Sequence, residues 1–473
     1  MKFFRSVCAV GAALLVAGCG GGNSAQVPLN SIGPGGPILR SITSRSYSIT
    51  DLGRLNYFWP GWFLSPGASS INLNAQGQVV SAMNSTPYLL TNSTLSTLTG
   101  NFTTARAIND QGQVIGDTWE GQNQWPRHAG IWKNGSITDL GSLSTDPNPY
   151  FRDSYAFGLN NAGDVVGESN APLDASHPNW WTTHAFLYKA GVMKDLGSLG
   201  GYYARAVSVN SSDDAAGYGL TADNSQTHAF VWRNGTLNDL GVYVGGTYSQ
   251  AASINDSGQI VGYATHARSD LFGAPPPKAT LWQNGQMVDL GTLGGPGSYA
   301  TGINNDGVII GSAETTALRA SSNYYFGYYY DYYFYYGYGW NIGTGGNGGP
   351  GGGGTGGNST GGGGGGGSVG SPTNASPSPG GGVSPGATAT GFGGGGAGSR
   401  AAKSGGRAAG DDRSYNVAHA FVYADNTMYD LNQLLPGDTG WELNLTTAIN
   451  SSGQIVGVGS FQGQVHGFLL TPK

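Results

Sequence analysis

Ser253-Ile-Asn-Asp-Ser-Gly-Gln-Ile-Val-Gly-Tyr-Ala264, followed after a loop by Ala279-Thr-Leu-Trp-Gln-Asn-Gly-Gln-Met-Val-Asp-Leu-Gly291, decides how this chain folds. Ser253-Ile254-Asn255 ends one strand. Asp256-Ser257-Gly258 makes a tight turn, because Asn, Asp and Gly tolerate the left-handed backbone that such turns need. Gln259 to Ala264 is a second strand, and its adjacent apolar pair Ile260-Val261 implies cover on both faces. Ala279 to Trp282 is a third strand, Asn284-Gly285 a hairpin turn, and Met287 to Leu290 a fourth strand.

The same phrase returns along the chain. Its asparagine falls at Asn74, Asn109, Asn160, Asn210, Asn255, Asn304 and Asn450. Four short antiparallel strands at this spacing predict propeller blades. In the fourth copy Asp213 replaces the turn glycine, and aspartate is among the few residues that still accept a positive φ. Ala190-Gly191 in the third copy is a poor two-residue turn and predicts a bulged one with shifted register. The last copy has strands at Thr446–Ile449, Gln454–Gly457 and Gly467–Leu470 but no Asp-Leu-Gly strand. An orphan copy of that strand, Tyr47 to Gly53, stands near the N-terminus. Pairing the two closes the ring and protects a sheet edge. Without an insertion in the sixth copy, about 325 residues remain, roughly 47 per repeat. The expectation is an all-β, seven-bladed β-propeller of four-stranded antiparallel blades.

His184-Ala185-Phe186, His228-Ala229-Phe230 and His419-Ala420-Phe421, each with Asp-Leu following, resemble the bacterial extracellular HAF-repeat family. The resemblance covers Tyr47 to Glu314 and Ala418 to the end. It implies export and repeats and carries no settled activity. The N-terminus adds a second resemblance. Lys2 and Arg5 precede the apolar run Val7 to Ala17, too short for a stable membrane anchor. The run ends in Leu15-Val16-Ala17-Gly18-Cys19, which is similar to the bacterial lipoprotein signal. That likeness implies lipid on Cys19 as the mature N-terminus, and Gly20 after it implies the outer membrane of the cell envelope. The only other cysteine, Cys8, falls in the removed segment, so no disulfide is expected. The expected segments are a signal peptide over 1–18, a tether over 19–45, propeller over 46–315, a low-complexity disordered insertion over 316–417, and propeller again over 418–473.

Five histidines share one repeat position, and an aspartate follows each by a fixed interval: His128 with Asp139, His184 with Asp195, His228 with Asp239, and His419 with Asp430. Ring closure gives His466 the partner Asp51. In the fifth copy Lys278 replaces His while Asp289 remains, and in the first copy Thr86 and Thr97 replace both. A basic residue accompanies every such Asp and disappears where the Asp does, which points to within-blade hydrogen-bonded or ion pairs rather than to a metal or catalytic site. With Asn234-Gly235 as the turn, Phe230 lies opposite Asp239 and His228 one diagonal away. No cofactor, metal or catalytic motif is expected. The chain after the signal has four glutamates, Glu120, Glu168, Glu314 and Glu442, with no evident glycosidase couple. A net charge of −6 without a basic block speaks against nucleic acid.

Strand order puts both tight turns of each repeat at one end and the longer loops at the other. The long loops hold Trp59 and Trp62, Trp119 and Trp125, Trp180 and Trp181, and Tyr202 and Tyr203. Such aromatics either stack on a ligand or seal the loop layer by packing on one another. The insertion opens with Tyr324 to Trp340, which contains ten tyrosines, and continues as a Gly/Ser/Pro tract. It reads either as an adhesive sticker or as a neutral expansion. The functional expectation is a lipid-anchored, non-enzymatic binding or scaffold module for a glycan or protein ligand. The alternatives are a carbohydrate-active enzyme using Glu120, Asp153 or Asp174, and an adhesin working through the insertion.

Overall fold

The computed structural model describes residues 46–54, 71–83, 86–92, 94–119, 126–172, 182–267, 276–320 and 414–473. Five four-stranded antiparallel sheets stand apart. The first holds Ile71–Leu73, Val79–Met83, Thr86–Thr91 and Thr94–Thr97. The second holds Ala107–Ile108, Val114–Trp119, Arg127–Lys133 and Ser136–Asp139. Two more hold Ser249–Ile254 through Gln286–Asp289 and Gly294–Ile303 through Thr427–Asp430. In the fifth, Trp441–Ile449, Ile455–Phe461 and Gln464–Pro472 are joined by Tyr47–Arg54, which pairs antiparallel with Gln464–Pro472 and is the outermost strand.

The remaining strands, Ser154–Leu159 through Val192–Gly197 and Gly200–Val209 through Thr236–Gly241, make one eight-stranded sheet. Its antiparallel halves meet at a single parallel pairing, Thr183 with Tyr203. The expectation of seven separate four-stranded blades is corrected here to five such blades and one double sheet. The cause is the ten-residue inner strand Gly200–Val209, whose early residues run alongside the start of Thr183–Lys189.

The repeat residues now have physical reasons. The motif glycine lies under a main-chain oxygen of the inner strand. A Cβ on Gly217 would sit 2.0 Å from the Arg205 oxygen and 2.8 Å from the Phe230 ring. That ring is fully buried and pairs directly across from Gly217. Gly167 with Phe186, Gly311 with Phe421 and Gly457 with Phe468 repeat the arrangement. In the second sheet Gly130 stands where the phenylalanine would be, and the Phe102 ring covers Gly116 instead. Apolar cores lie between neighbouring sheets, as where Ile115, Ala129 and Leu140 meet Ala156, Val165 and Phe186.

The motif asparagines close a circle. Asn74 Nδ2 donates to the main-chain oxygen of Asn109 at 3.1 Å, Asn109 to Asn160 at 3.0 Å, and Asn160 to Asn210 at 3.1 Å. Asn210 donates to Asn255 at 3.2 Å, Asn255 to Asn304 at 3.1 Å, Asn304 to Asn450 at 3.3 Å, and Asn450 back to Asn74 at 2.9 Å. The inner strands are thereby tied around one axis.

Two local expectations change. Ala190 and Gly191 adopt φ of 51° and 85°, matching Asn234 and Gly235 at 53° and 84°. The turn is a regular two-residue one, with Lys189 opposite Val192. The register shift lies beyond it, between Ala185 and Phe186, and the Asn-Gly hairpin has the same shift between Ala229 and Phe230. Ladder pairing also outruns the expected insertion boundaries of 316 and 417. Ile309–Ala320 and Ser414–Ala424 stay paired as far as Ala320 with Ser414. Residues 321–413, with the tyrosine block, lie outside the described residues, as do the signal segment and Cys19.

Candidate ligand-binding site

The histidine at the start of each third strand and the aspartate at the end of the fourth meet at the loop end. His128 Nδ1 lies 2.8 Å from Asp139 Oδ1, and His184 Nδ1 lies 2.9 Å from Asp195 Oδ2. The distances are 2.8 Å for His228–Asp239, 2.7 Å for His419–Asp430 and 2.9 Å for His466–Asp51. Phe230 is directly opposite Asp239. Each aspartate of an Asp-Leu-Gly also accepts the glycine N–H, as Gly241 N to Asp239 Oδ1 at 2.7 Å. Burial pushes the Asp139, Asp195, Asp239 and Asp430 carboxyls upward, but the histidine and backbone hydrogen bonds prevail and hold them below the ordinary value. The fifth copy departs from the expected Lys278–Asp289 pair. Lys278 Nζ donates to the Pro296 oxygen at 2.8 Å. His266 approaches Asp289 instead, with Nε2 to Oδ2 at 3.5 Å and its ring stacked on Tyr243. The ammonium finds a neutral carbonyl nearer to hand, and the aspartate takes an imidazole from the preceding loop.

Closer to the axis lies a group of buried polar residues that pattern reading missed. The residue after the motif glycine is Asp117, Glu168, Tyr218, Tyr263 or Ser312 in successive copies, and all five are buried. Arg106 forms a bidentate pair with Asp117, with Nη2 to Oδ2 at 2.7 Å. Arg205 binds both Glu168 oxygens, at 2.7 and 2.9 Å, and Tyr203 donates its hydroxyl to Glu168 Oε2 at 2.7 Å. The buried Phe157 ring lies between the two guanidinium groups, 5.0 Å from Arg106 and 4.1 Å from Arg205. Burial alone would discharge Arg205, but the adjoining Glu168 carboxylate holds it firmly protonated. The next sheets add a neutral counterpart, where Tyr263 donates to Gln250 Oε1 at 2.7 Å and meets the Tyr299 ring edge-on at 5.1 Å.

At the outer margin of this group, the Arg127 guanidinium stacks 4.4 Å from the Trp119 ring and 5.9 Å from Tyr155. Asp153 accepts the Arg127 main-chain N–H at 2.9 Å and the Tyr155 hydroxyl at 3.3 Å. Burial raises the Asp153 carboxyl despite these bonds. Asp117, Asp153 and Glu168 all push the Tyr155 hydroxyl upward, behind the larger effect of burial. Three carboxylates and three arginines thus share one aromatic neighbourhood.

Of the aromatic loop face expected from sequence, Trp119, Tyr202 and Tyr203 are described, and they lie on strands rather than in loops, Trp119 ending Val114–Trp119 and the tyrosines within Gly200–Val209. Trp119 and Tyr203 belong to this group, and the Tyr202 main chain is held by Asn224 at 2.9 Å. Trp59, Trp62, Trp125, Trp180 and Trp181 lie outside the described residues, as do Glu120 and Asp174. The missed residues had a signal. The position after the motif glycine changes character from copy to copy while its neighbours repeat. Among the described residues, no cluster of three or more His, Cys, Asp or Glu side chains is placed to hold a metal ion.

A family model described as a protein of unknown function, DUF3466, matches residues 96–288. No curated protein matches the chain. Among solved structures, the chain is similar to a protein assigned as TolB from Agrobacterium tumefaciens, at 12% identity and a TM-score of 0.36, over 56% of this chain and 96% of that one. It is similar to the β-propeller domain of the Trilobed protease from Pyrococcus furiosus at 14% identity and a TM-score of 0.28, over 52% and 91% of the two chains. It is also similar to a gluconolactonase from Xanthomonas campestris at 10% identity and a TM-score of 0.32, over 57% and 88%.

Proposed function

We propose that this chain is a non-enzymatic binding module, held at the cell envelope by lipid on Cys19, that takes a glycan or protein ligand at the loop end of its propeller. In this reading the halves of the eight-stranded sheet serve as two blades, which gives seven positions around the axis to match the seven asparagines. The observation that carries the binding role is the set of acidic, basic and aromatic residues around Phe157 and Tyr155. It occupies one end of a scaffold that otherwise repeats, and it differs from copy to copy. The buried acids Asp117 and Glu168 are bound bidentately by arginines. That arrangement suits rigid recognition better than proton transfer. The His–Asp pairs, partly exposed and repeated, serve as blade fasteners.

An array of glycans and peptides, probed with the full chain carrying Cys19→Ser, tests the binding role. Saturable binding lost in Trp119→Ala and Tyr203→Phe supports it, whereas turnover of a bound glycan would replace it with an enzymatic reading. One observation favours that second reading: Asp153 is an acid with a raised carboxyl beside Tyr155. Anchoring is tested separately. Cys19→Ser should leave the membrane fraction or stop processing, and an unlipidated wild-type N-terminus with unchanged membrane association would remove the lipid from the proposal.

A further inference from the structure

The three arginines of the site are not equivalent. Arg106 is neutralised by Asp117 and Arg205 by Glu168. For Arg127 no carboxylate among the described residues lies within ion-pair distance. Its guanidinium rests on Trp119, its Nε is buried without an acceptor, and Asp153 takes only its main-chain N–H. A buried donor left unmet is costly, and a guanidinium fork is most fully satisfied by a planar oxyanion. Arg127 begins the third strand, Trp119 ends the second, and Tyr155 lies on the inner strand of the neighbouring sheet. All three are partly exposed at the loop end.

From this geometry we infer that Arg127 is the anchor for the carboxylate of an acidic saccharide, bound beside Trp119, Tyr155 and Asp153. This rests on the binding-module reading and names its ligand class. The charge of the ligand follows from the neighbours. Asp117 and Glu168 are already matched by Arg106 and Arg205, which leaves Asp153 as the negative group beside Arg127, so a dianionic phosphate meets repulsion that a single carboxylate largely escapes. The saccharide character follows from the company of Arg127. A carboxylate acceptor, a phenol and an indole beside a cation match a ring that carries hydroxyl donors, an apolar face and one acid. An acidic peptide such as polyglutamate would use the guanidinium but brings no ring face to set against the Trp119 indole and the Tyr155 phenol.

The test uses the full chain with Cys19→Ser and three probes: oligogalacturonate, the same oligosaccharide with its carboxyls reduced to alcohols, and a polyglutamate peptide of similar charge. Calorimetry of the wild-type protein should show binding of oligogalacturonate and at least a tenfold loss on carboxyl reduction. Arg127→Met should lose at least tenfold, with Arg127→Lys intermediate, while the melting temperature records whether each variant is folded. The carboxyl-reduced probe needs no variant, so a misfolded Arg127→Met does not spoil the test. Equal binding of the reduced sugar, preference for polyglutamate, or unchanged affinity in a folded Arg127→Met each overturns the inference while leaving a binding module intact. Absence of oligogalacturonate binding also overturns it. If no array ligand binds either and a glycan is turned over, the broader reading fails as well.

Discussion

Asn160 fills four hydrogen-bonding roles at once. Its Nδ2 donates to the Asn210 oxygen and to Asp164 Oδ2, both at 3.1 Å, and its Oδ1 accepts from Ala162 N at 3.0 Å and Asp164 N at 2.9 Å. The side chain thus holds its own turn and the next inner strand together. Asn160→Ala leaves these buried groups unmet, and it should cost about 2–4 kcal/mol in urea denaturation. A loss under about 0.5 kcal/mol would mean that the circle of asparagines contributes little. The His–Asp pairs act at the same scale through pH. Asp139, Asp195, Asp239 and Asp430 titrate below their unfolded value of 3.8. Their stabilisation is therefore complete above that value and is lost as pH falls through the lower folded values. Unfolding free energy should be level near neutrality and drop below about pH 4, with a shallower drop in Asp239→Asn. Asp139, Asp195 and Asp239 are partly exposed, so screening limits those three pairs to about 1 kcal/mol each. His228→Ala and Asp239→Ala should be coupled rather than additive in a double-mutant cycle. Strict additivity would detach the histidine from its aspartate energetically.

At the scale of elements, the hairpins and bulges reveal which signals a sequence carries. Asn284-Gly285 and Asp213 were legible as turns because each residue type advertises its φ. Ala190 was misread because alanine advertises the opposite, yet it takes φ of 51° where a partner strand fixes the hairpin. The turn is strained rather than rearranged. Ala190→Asn should therefore stabilise the protein by about 0.5–1 kcal/mol, read as a higher melting temperature, and a loss of stability would mean the alanine makes a contact that its backbone does not disclose. Gly217→Ala should act the other way. Its Cβ would meet the main-chain oxygen of Arg205, just before the register shift between Ala206 and Ser208. A cost of about 3 kcal/mol is expected from chemical denaturation. That irregularity explains why the inner site was only half legible. Aromatic loops could be counted from the sequence, but the partnership of Arg205 with Glu168 spans two repeats and depends on where the inner strand bends. No single repeat contains it.

At the scale of the whole molecule, the modular repeat and the borrowed last strand were legible because each copy restates the same pattern, and the gap in the final copy matches the orphan near the start. Merging of two strand sets at Thr183 and Tyr203 was not, since one parallel bridge leaves no periodic trace. The insertion offers a test at this scale. Ala320 and Ser414 are paired, so the ends of 321–413 lie side by side. Replacing 321–413 with a short Gly/Ser linker should leave the sheets folded and, by lowering the loop-closure cost, raise stability by up to about 2 kcal/mol. A melting temperature lowered by many degrees would make the segment part of the core. The pairing of Tyr47–Arg54 with Gln464–Pro472 reaches further than any stability measurement. A ribosome makes the first partner long before the second, and the contacting residues His466 and Asp51 are 415 apart in sequence. Throughout synthesis the early strand has no edge to join, so the nascent chain cannot lock itself shut. Contacts this distant in sequence are also slow to find. Closure of this sheet can therefore only follow completion of its last strand, and the early strand must wait for it.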